Sequence, residues 1–205
     1  MDKAIKYIIG IDEVGRGPIA GPVAVCSFLM KDDSFIKNTE EKLPKLKDSK
    51  KLSKKQREIW FNFLKKQKEK GNCDYAVSFV SPENIDKFGI AKCIQKSLNE
   101  SLEKVVTQKA FSASLSVFKI FLDGGLHAPS EYINQETIIK GDELHPVISM
   151  ASIMAKVTRD AVMTKYSKEY PEYGFEKHSG YGTKAHYEAI KKYGQAPIHR
   201  KTFIH

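Results

Sequence analysis

Hydrophobic and polar positions along this chain predict alternating strands and helices. Residues 4 to 11 read as a strand, apolar from Tyr7 to Ile11, with Asp12 and Glu13 directly after it. Gly15, Gly17, Pro18, Gly21 and Pro22 punctuate the next stretch. Residues 23 to 30 then read as a second strand, antiparallel to the first because so few residues separate the two. Residues 31 to 52 are charged and irregular. Ser53 with Gln56 has the form of a capping box, each side chain satisfying a free backbone N–H of the other residue. The helix it opens sets Ile59, Trp60, Phe63 and Leu64 on one stripe and ends in lysines before Gly71, where cations suit the helix dipole. Residues 74 to 80 are a third strand, and Ser81-Pro82 is a helix start, with Gly89 as its break. From 90 to 106, Ile90, Cys93, Ile94, Leu98, Leu102 and Val105 recur at helical spacing. Residues 117 to 122 are an apolar run closing in Asp123-Gly124-Gly125, and 132 to 139 read as a strand before Lys140-Gly141-Asp142. From 146 to about 166 the pattern is one long, largely buried helix, with Val147, Met150, Met154, Val157 and Ala161 along a face. A further helix is expected near 183 to 193. No internal repeat or low-complexity tract interrupts this order, so the fold class is α/β.

At 205 residues the chain suits one domain, and its 41% hydrophobic content is enough to build a core. The net charge of +9 favours a polyanionic partner, with nucleic acid ahead of an acidic membrane surface. Cys26, Cys73 and Cys93 are odd in number and contain no C-x-x-C pair. Neither a disulfide framework nor a zinc knuckle is indicated, and each reads as a small, half-buried apolar residue. The run from 7 to 11 is too short for a signal peptide or a membrane span. A soluble, cytoplasmic monomer without a membrane partner is the expectation.

The chemically informative pattern is where the carboxylates fall. Asp12-Glu13, Asp123 and Asp142 each follow an apolar strand, and strand ends collect on a common rim of a sheet. Converging carboxylates repel and raise one another's pKa unless a cation neutralises them. Such hard oxygen ligands suit Mg²⁺ or Mn²⁺. Two such ions, typically about 3.5–4 Å apart, activate a water and stabilise the leaving oxygen of a phosphodiester. The bland alternatives stay open on the residues alone: Asp123 as a turn residue before Gly124, Asp142 as a favourable charge near a helix start. Asp160 is expected in an ion pair, since Lys156 lies one helical turn away.

The segment Ile11-Asp12-Glu13-Val14-Gly15-Arg16-Gly17-Pro18 resembles the opening signature of the ribonuclease HII family. Asp48-Ser49-Lys50-Lys51-Leu52-Ser53, Leu122-Asp123-Gly124 and Lys140-Gly141-Asp142 resemble its later blocks. So do the helix Met150 to Asp160, Gly180-Tyr181-Gly182-Thr183 and the closing Pro197-Ile198-His199-Arg200. The blocks stand in the family's order over nearly the whole chain. The resemblance implies a ribonuclease H-like fold, a central mixed β-sheet flanked by helices, with residues from about 168 to 205 as a helical C-terminal extension. It implies that Asp12, Glu13, Asp123 and Asp142 are the catalytic acids and hold Mg²⁺ or Mn²⁺. Hydrolysis would leave 3′-hydroxyl and 5′-phosphate ends, on RNA–DNA hybrids and on duplex DNA containing single ribonucleotides. Gly15, Arg16 and Gly17 would recognise the junction, the glycines by close backbone approach and Arg16 as a charged donor. Tyr181 would pack against the sugar that carries the 2′-hydroxyl. Lys50 would contact a backbone phosphate, and Lys177, His178 and Lys184 either extend that track or simply favour solubility.

Three other readings compete. Ribonuclease HIII resembles HII in its catalytic domain, but carries an N-terminal domain for which the position of the acid pair at residue 12 leaves no room, and a different loop. A DNA-only nuclease of the same fold would lack a use for Gly-Arg-Gly and Tyr181. A basic binding protein without catalysis would gain nothing from four acids near phosphate. The lysine-rich segment 31 to 47 and an enlarged loop at 107 to 116 depart from the family pattern without touching the acids.

Overall fold

A computed structural model of the protein describes residues 5–107 and 115–204. Five strands, β1 (Tyr7–Val14), β2 (Val23–Met30), β3 (Cys73–Val80), β4 (Phe118–Asp123) and β5 (Gln135–Ile138), form one sheet in the order β3-β2-β1-β4-β5. β1, β2 and β3 pair antiparallel, whereas β4 and β5 run parallel to β1, so the sheet is mixed as expected. The helices in chain order are α1 (Ser34–Lys37), α2 (Lys54–Glu69), α3 (Pro82–Phe88), α4 (Ile90–Thr107), α5 (Gly141–Leu144), α6 (Pro146–Glu169), α7 (Phe175–His178) and α8 (Lys184–Tyr193). The expected strand start at Ala4, and residues 108–114 of the expected loop, lie outside the described residues.

Side-chain alternation divides the core into two layers. Ile9, Ile11, Val23, Val25, Ile120 and Leu122 point to one face, where α4 lays Ile94, Leu98, Leu102 and Val105 against them. Cys26, Phe28 and Met30 point to the other, where α2 supplies Trp60, Phe63 and Leu64 and α6 supplies Val147, Met150, Ile153 and Met154. β2 is buried on both faces along its whole length, which accounts for its apolar sequence, broken only by Ser27, whose hydroxyl meets that of Ser101 at 2.8 Å. The capping box of Ser53 and Gln56 is present in both directions. Gly10 is where α6 crosses the sheet: a Cβ there would collide with the backbone of Val147. The three cysteines are buried and none is in a disulfide.

Three boundaries differ from expectation. β1 continues to Val14 rather than ending at Ile11, so the acids Asp12 and Glu13 lie inside the strand. The reason is its antiparallel partner: Asp12, Glu13 and Val14 pair with Cys26, Val25 and Ala24, whereas pairing with β4 stops at Ile11↔Leu122. β5 is shorter than 132 to 139, because the Gln135 side chain ties the backbone of Ala128, Pro129 and Tyr132 into a loop. Asp142 therefore does not follow a strand directly. Lys140 turns the chain through a left-handed conformation (φ 56°), and Asp142 sits in the short α5.

Beyond α6 the chain builds a third cluster from Ala20, Met163, Tyr173, Phe175, Ala196 and Ile198. The 15–22 loop joins it through a bridge of Ala20 to His199 and hydrogen bonds from Ile19 and Ala20 N–H to the Gly180 carbonyl. Among the described residues no helix is long and apolar enough to cross a membrane.

Candidate active site

β1 and β4 lie side by side and parallel, so their C-terminal ends carry Asp12, Glu13 and Asp123 to one rim. Asp123 then binds the next turn to that rim. Its Oδ1 accepts the N–H of Gly141 at 2.7 Å and that of Asp142 at 3.4 Å, which brings the fourth acid beside the first three. All four sequence-expected acids are thus gathered at the ends of β1 and β4.

Their electrostatics show the cost of this gathering. Asp12 is only 3% exposed, and burial first, then the charges of Glu13, Asp123 and Asp142, push its carboxyl well up. A hydrogen bond from Ser152 on α6 works the other way. Burial and the Asp123 charge also raise Glu13, partly offset by Arg16, whose Nη1 lies 3.2 Å from Glu13 Oε1. Asp142 is pushed up to about 6 by burial, by Asp123, and by the charge and hydrogen bond of Asp48. Such a donor set, all hard oxygen and mutually repelling, fits a divalent cation. Among the described residues no three His, Cys, Asp or Glu side chains close on a single point, so the acids form an open rim and not a finished cage.

Lys50 is placed over this rim, its Nζ 4.0 Å from Asp142 Oδ2. Burial works to lower its pKa, but Asp48, Asp12, Asp142 and Asp123 outweigh that and raise it. Its main chain is set by Asp48, whose Oδ1 accepts the Lys50 N–H at 2.9 Å. Ser49 in turn meets Ser152 at 2.8 Å, Oγ to Oγ, docking this turn on α6. Asp48 and Ser152 were not singled out from sequence. Asp48 lies in the stretch that reads from sequence as charged and irregular, and no spacing rule brings Ser152 to Asp12.

The loop after the acids is held from behind by two arginines that are fully buried. Arg159 Nε donates to the Pro22 carbonyl at 2.8 Å, Nη1 to Ser179 at 3.0 Å and Nη2 to Ala20 at 3.3 Å. Arg200 donates from Nε to Gly21 at 2.9 Å, from Nη1 to Arg16 at 3.0 Å and from Nη2 to Gly15 at 2.7 Å. Burial and the like charge of Arg159 lower Arg200 to about 9. Gly15 is obligatory here on two counts: its φ is +95°, and a Cβ would run into Arg159 Nε.

Tyr181 reaches the same place from the C-terminal part. A Cβ added to Gly17 would stand 3.8 Å from Tyr181 Cε1, and 47% of Tyr181 is exposed. Its carbonyl accepts His186 Nδ1–H at 2.8 Å, and His186 Nε2 lies 3.0 Å from His199 Nε2. His178, stacked on His186 at 4.4 Å, donates Nε2–H to the Tyr173 carbonyl and accepts the Gly180 N–H on Nδ1. It is therefore occupied within the fold and not free to extend a phosphate track. Lys184 remains exposed, 3.9 Å from Glu188, and Asp160 pairs with Lys156 at 2.9 Å.

A family model described as Ribonuclease HII matches residues 9–205. The chain is 43% identical over 202 residues to a Ribonuclease HII of Endomicrobium trichonymphae, covering 98% of this chain and 87% of the relative. Among solved structures it resembles the PCNA:RNase HII complex from Archaeoglobus fulgidus, with a TM-score of 0.71 at 25% identity over 97% and 96% of the two chains. It also shares its fold with Bst-RNase HIII in complex with Mn²⁺, at a TM-score of 0.73 and 19% identity, over 98% of this chain and 68% of that one.

Proposed function

The chain belongs to the ribonuclease HII family, and on that premise we propose that it incises duplex DNA on the 5′ side of single embedded ribonucleotides. As a type 2 ribonuclease H it is a hydrolase acting on the RNA strand of RNA–DNA hybrids. The observation that carries the finer reading is the meeting of two features at one edge. The acid rim is joined to the Gly15-Arg16-Gly17 loop through the Glu13–Arg16 ion pair, and Gly17 faces the exposed ring of Tyr181.

Asp12, Glu13, Asp123 and Asp142 would hold Mg²⁺ or Mn²⁺, and a divalent ion so held supplies an activated water and a counter-charge for the leaving 3′-oxygen. The protein's own groups do the rest. Lys50, 73% exposed along its side chain beside Asp142, offers an ammonium to the phosphate next to the cleaved bond. Ser152 and the Glu13 N–H, which donates to Asp12 Oδ1 at 2.8 Å, fix the orientation of the Asp12 carboxylate. Tyr181 presents a flat apolar surface to the sugar, and Gly17 leaves room for that sugar to approach the backbone. Discrimination of RNA from DNA then rests on the 2′-hydroxyl alone. The products are a 3′-hydroxyl and a 5′-phosphate. Residues from about 168 onward act in this reading as the extension that carries Tyr181, in a cytoplasmic monomer.

The test is cleavage of a duplex containing one ribonucleotide, mapped to the nucleotide, with Mg²⁺, with Mn²⁺ and with chelator. Incision immediately 5′ of the ribonucleotide, dependent on added ion, is expected. Equal cutting of the all-DNA duplex would rule the reading out.

A further inference from the structure

The two buried guanidiniums direct six hydrogen bonds to backbone carbonyls, five of them in the 15–22 loop. Those from Arg200 to Gly15 and Arg16 have a consequence for the substrate side of the loop. A trans peptide unit is planar, with its C=O and the following N–H pointing opposite ways. No peptide bond here is cis. Drawing the Gly15 carbonyl inward therefore turns the Arg16 N–H outward, and drawing the Arg16 carbonyl inward does the same for the Gly17 N–H.

We propose that Arg200 is a positioning residue for ribonucleotide recognition, holding the N–H groups of Arg16 and Gly17 outward as preformed donors to an oxygen of the ribonucleotide. This rests on the junction reading above. Arginine suits the task because its fork spans three carbonyls at fixed angles, which a lysine ammonium on a flexible stem cannot reproduce. The fork is itself anchored. The Arg200 N–H donates to the Ile19 carbonyl at 2.8 Å, and the guanidinium lies over the Phe203 ring at 5.2 Å. On α3, Asp86 accepts the N–H groups of Lys201 and Thr202 at 2.9 and 3.0 Å and the Thr202 hydroxyl at 2.7 Å. Asp86 thus fastens the segment that follows Arg200 from a site on the surface.

The experiment compares kcat and KM of the full chain, Arg200→Lys and Asp86→Ala on a single-ribonucleotide duplex and on a long RNA–DNA hybrid. Arg200→Lys should lower kcat/KM on the single ribonucleotide roughly 10-fold more than on the hybrid, mainly through KM. Asp86→Ala, a surface change that leaves the core intact, should shift the same ratio in the same direction by about 2- to 3-fold. A purely structural role would reduce the folded fraction, lowering kcat equally on both substrates and leaving the ratio untouched. An unchanged ratio in both variants, with the unaltered enzyme preferring the junction, overturns this inference alone. If the unaltered enzyme shows no junction preference, the junction reading fails and this inference falls with it.

Discussion

Asp12 keeps a carboxylate where water barely reaches, beside three other acids, and Ser152, one backbone N–H and the more distant Lys50 ammonium favour its charge. Such an arrangement is unfavourable to the folded state by itself, because burial and like charges both oppose ionisation. Two opposite effects of Asp12→Asn follow. Cleavage should be lost while binding of a labelled hybrid, read by anisotropy, stays within a few-fold. In chelator the variant should melt higher than the unaltered protein, by about 2–4 °C for each kcal/mol of repulsion removed. Undiminished turnover would take Asp12 out of the metal site. Arg16→Ala and Tyr181→Ala act instead on choice of site, each reducing preference for a ribonucleotide over the matched DNA position by about 10-fold or more. Wild-type preference in both would refute that assignment. Asp12 and Glu13 stand out in the sequence because two adjacent acids closing an apolar run have little structural reason to be there, whereas Asp123 and Asp142 read on their own equally as a turn residue and a helix-start charge. Asp48, Ser152, Arg159 and Arg200 do not stand out: their roles come from contacts such as Ser49 to Ser152 that no local spacing encodes.

At the scale of elements, periodicity was a good guide wherever one face is buried and the other wet. The stripe of α4, the capping box and the bounds of β2 follow from it directly, whereas in α2 Trp60, Phe63 and Leu64 are buried as expected but Ile59 is exposed. It was a poor guide at the acids, since carboxylates are depleted in strands and a sequence reading therefore stops β1 at Ile11. The pairing of Asp12 with Cys26 and Glu13 with Val25 overrides that preference, and a strand end becomes a rigid platform for two acids. The same platform depends on Gly10, where α6 passes against β1 and carries Ser152 toward Asp12. Gly10→Ala must push the Val147 backbone away, so it should destabilise the fold by about 1–3 kcal/mol in denaturant titration. Activity of the folded fraction should fall as well. A variant equally stable and active would show that the crossing can relax without consequence.

The whole molecule is a sheet with helices on both faces, completed by a C-terminal cluster that holds His186 and His199 neutral against one another. Burial and the neighbouring histidines lower His186 from its ordinary 6.5 to about 4. Between those values the unfolded chain binds the proton and the fold does not, so this group's contribution to stability is present above pH 6.5 and is lost as the pH falls toward 4. The raised carboxylates of the rim act with the opposite sign, so the informative quantity is a difference. The stability advantage of the unaltered protein over His186→Gln should be largest near pH 7 and shrink steadily to pH 4; a constant advantage would mean that His186 is not held neutral. Fold class and the antiparallel pairing of β1 with β2 were legible in the sequence; this cluster was not, because its residues are scattered from Ala20 to His199 and meet only in three dimensions. The same scattering has a bearing on how the molecule is made. Gly15 and Arg16 are synthesised well ahead of the guanidinium that holds their carbonyls in its fork, which is some 185 positions behind them. A nascent chain can pair β1 with β2 long before that, since those contacts are local, whereas closing so large a loop is slow. Synthesis therefore sets Asp12 and Glu13 on their strand first, Asp123 and Asp142 join them only once β4 and α5 are made, and a chain interrupted before Arg200 would emerge with the 15–22 loop still waiting for its frame.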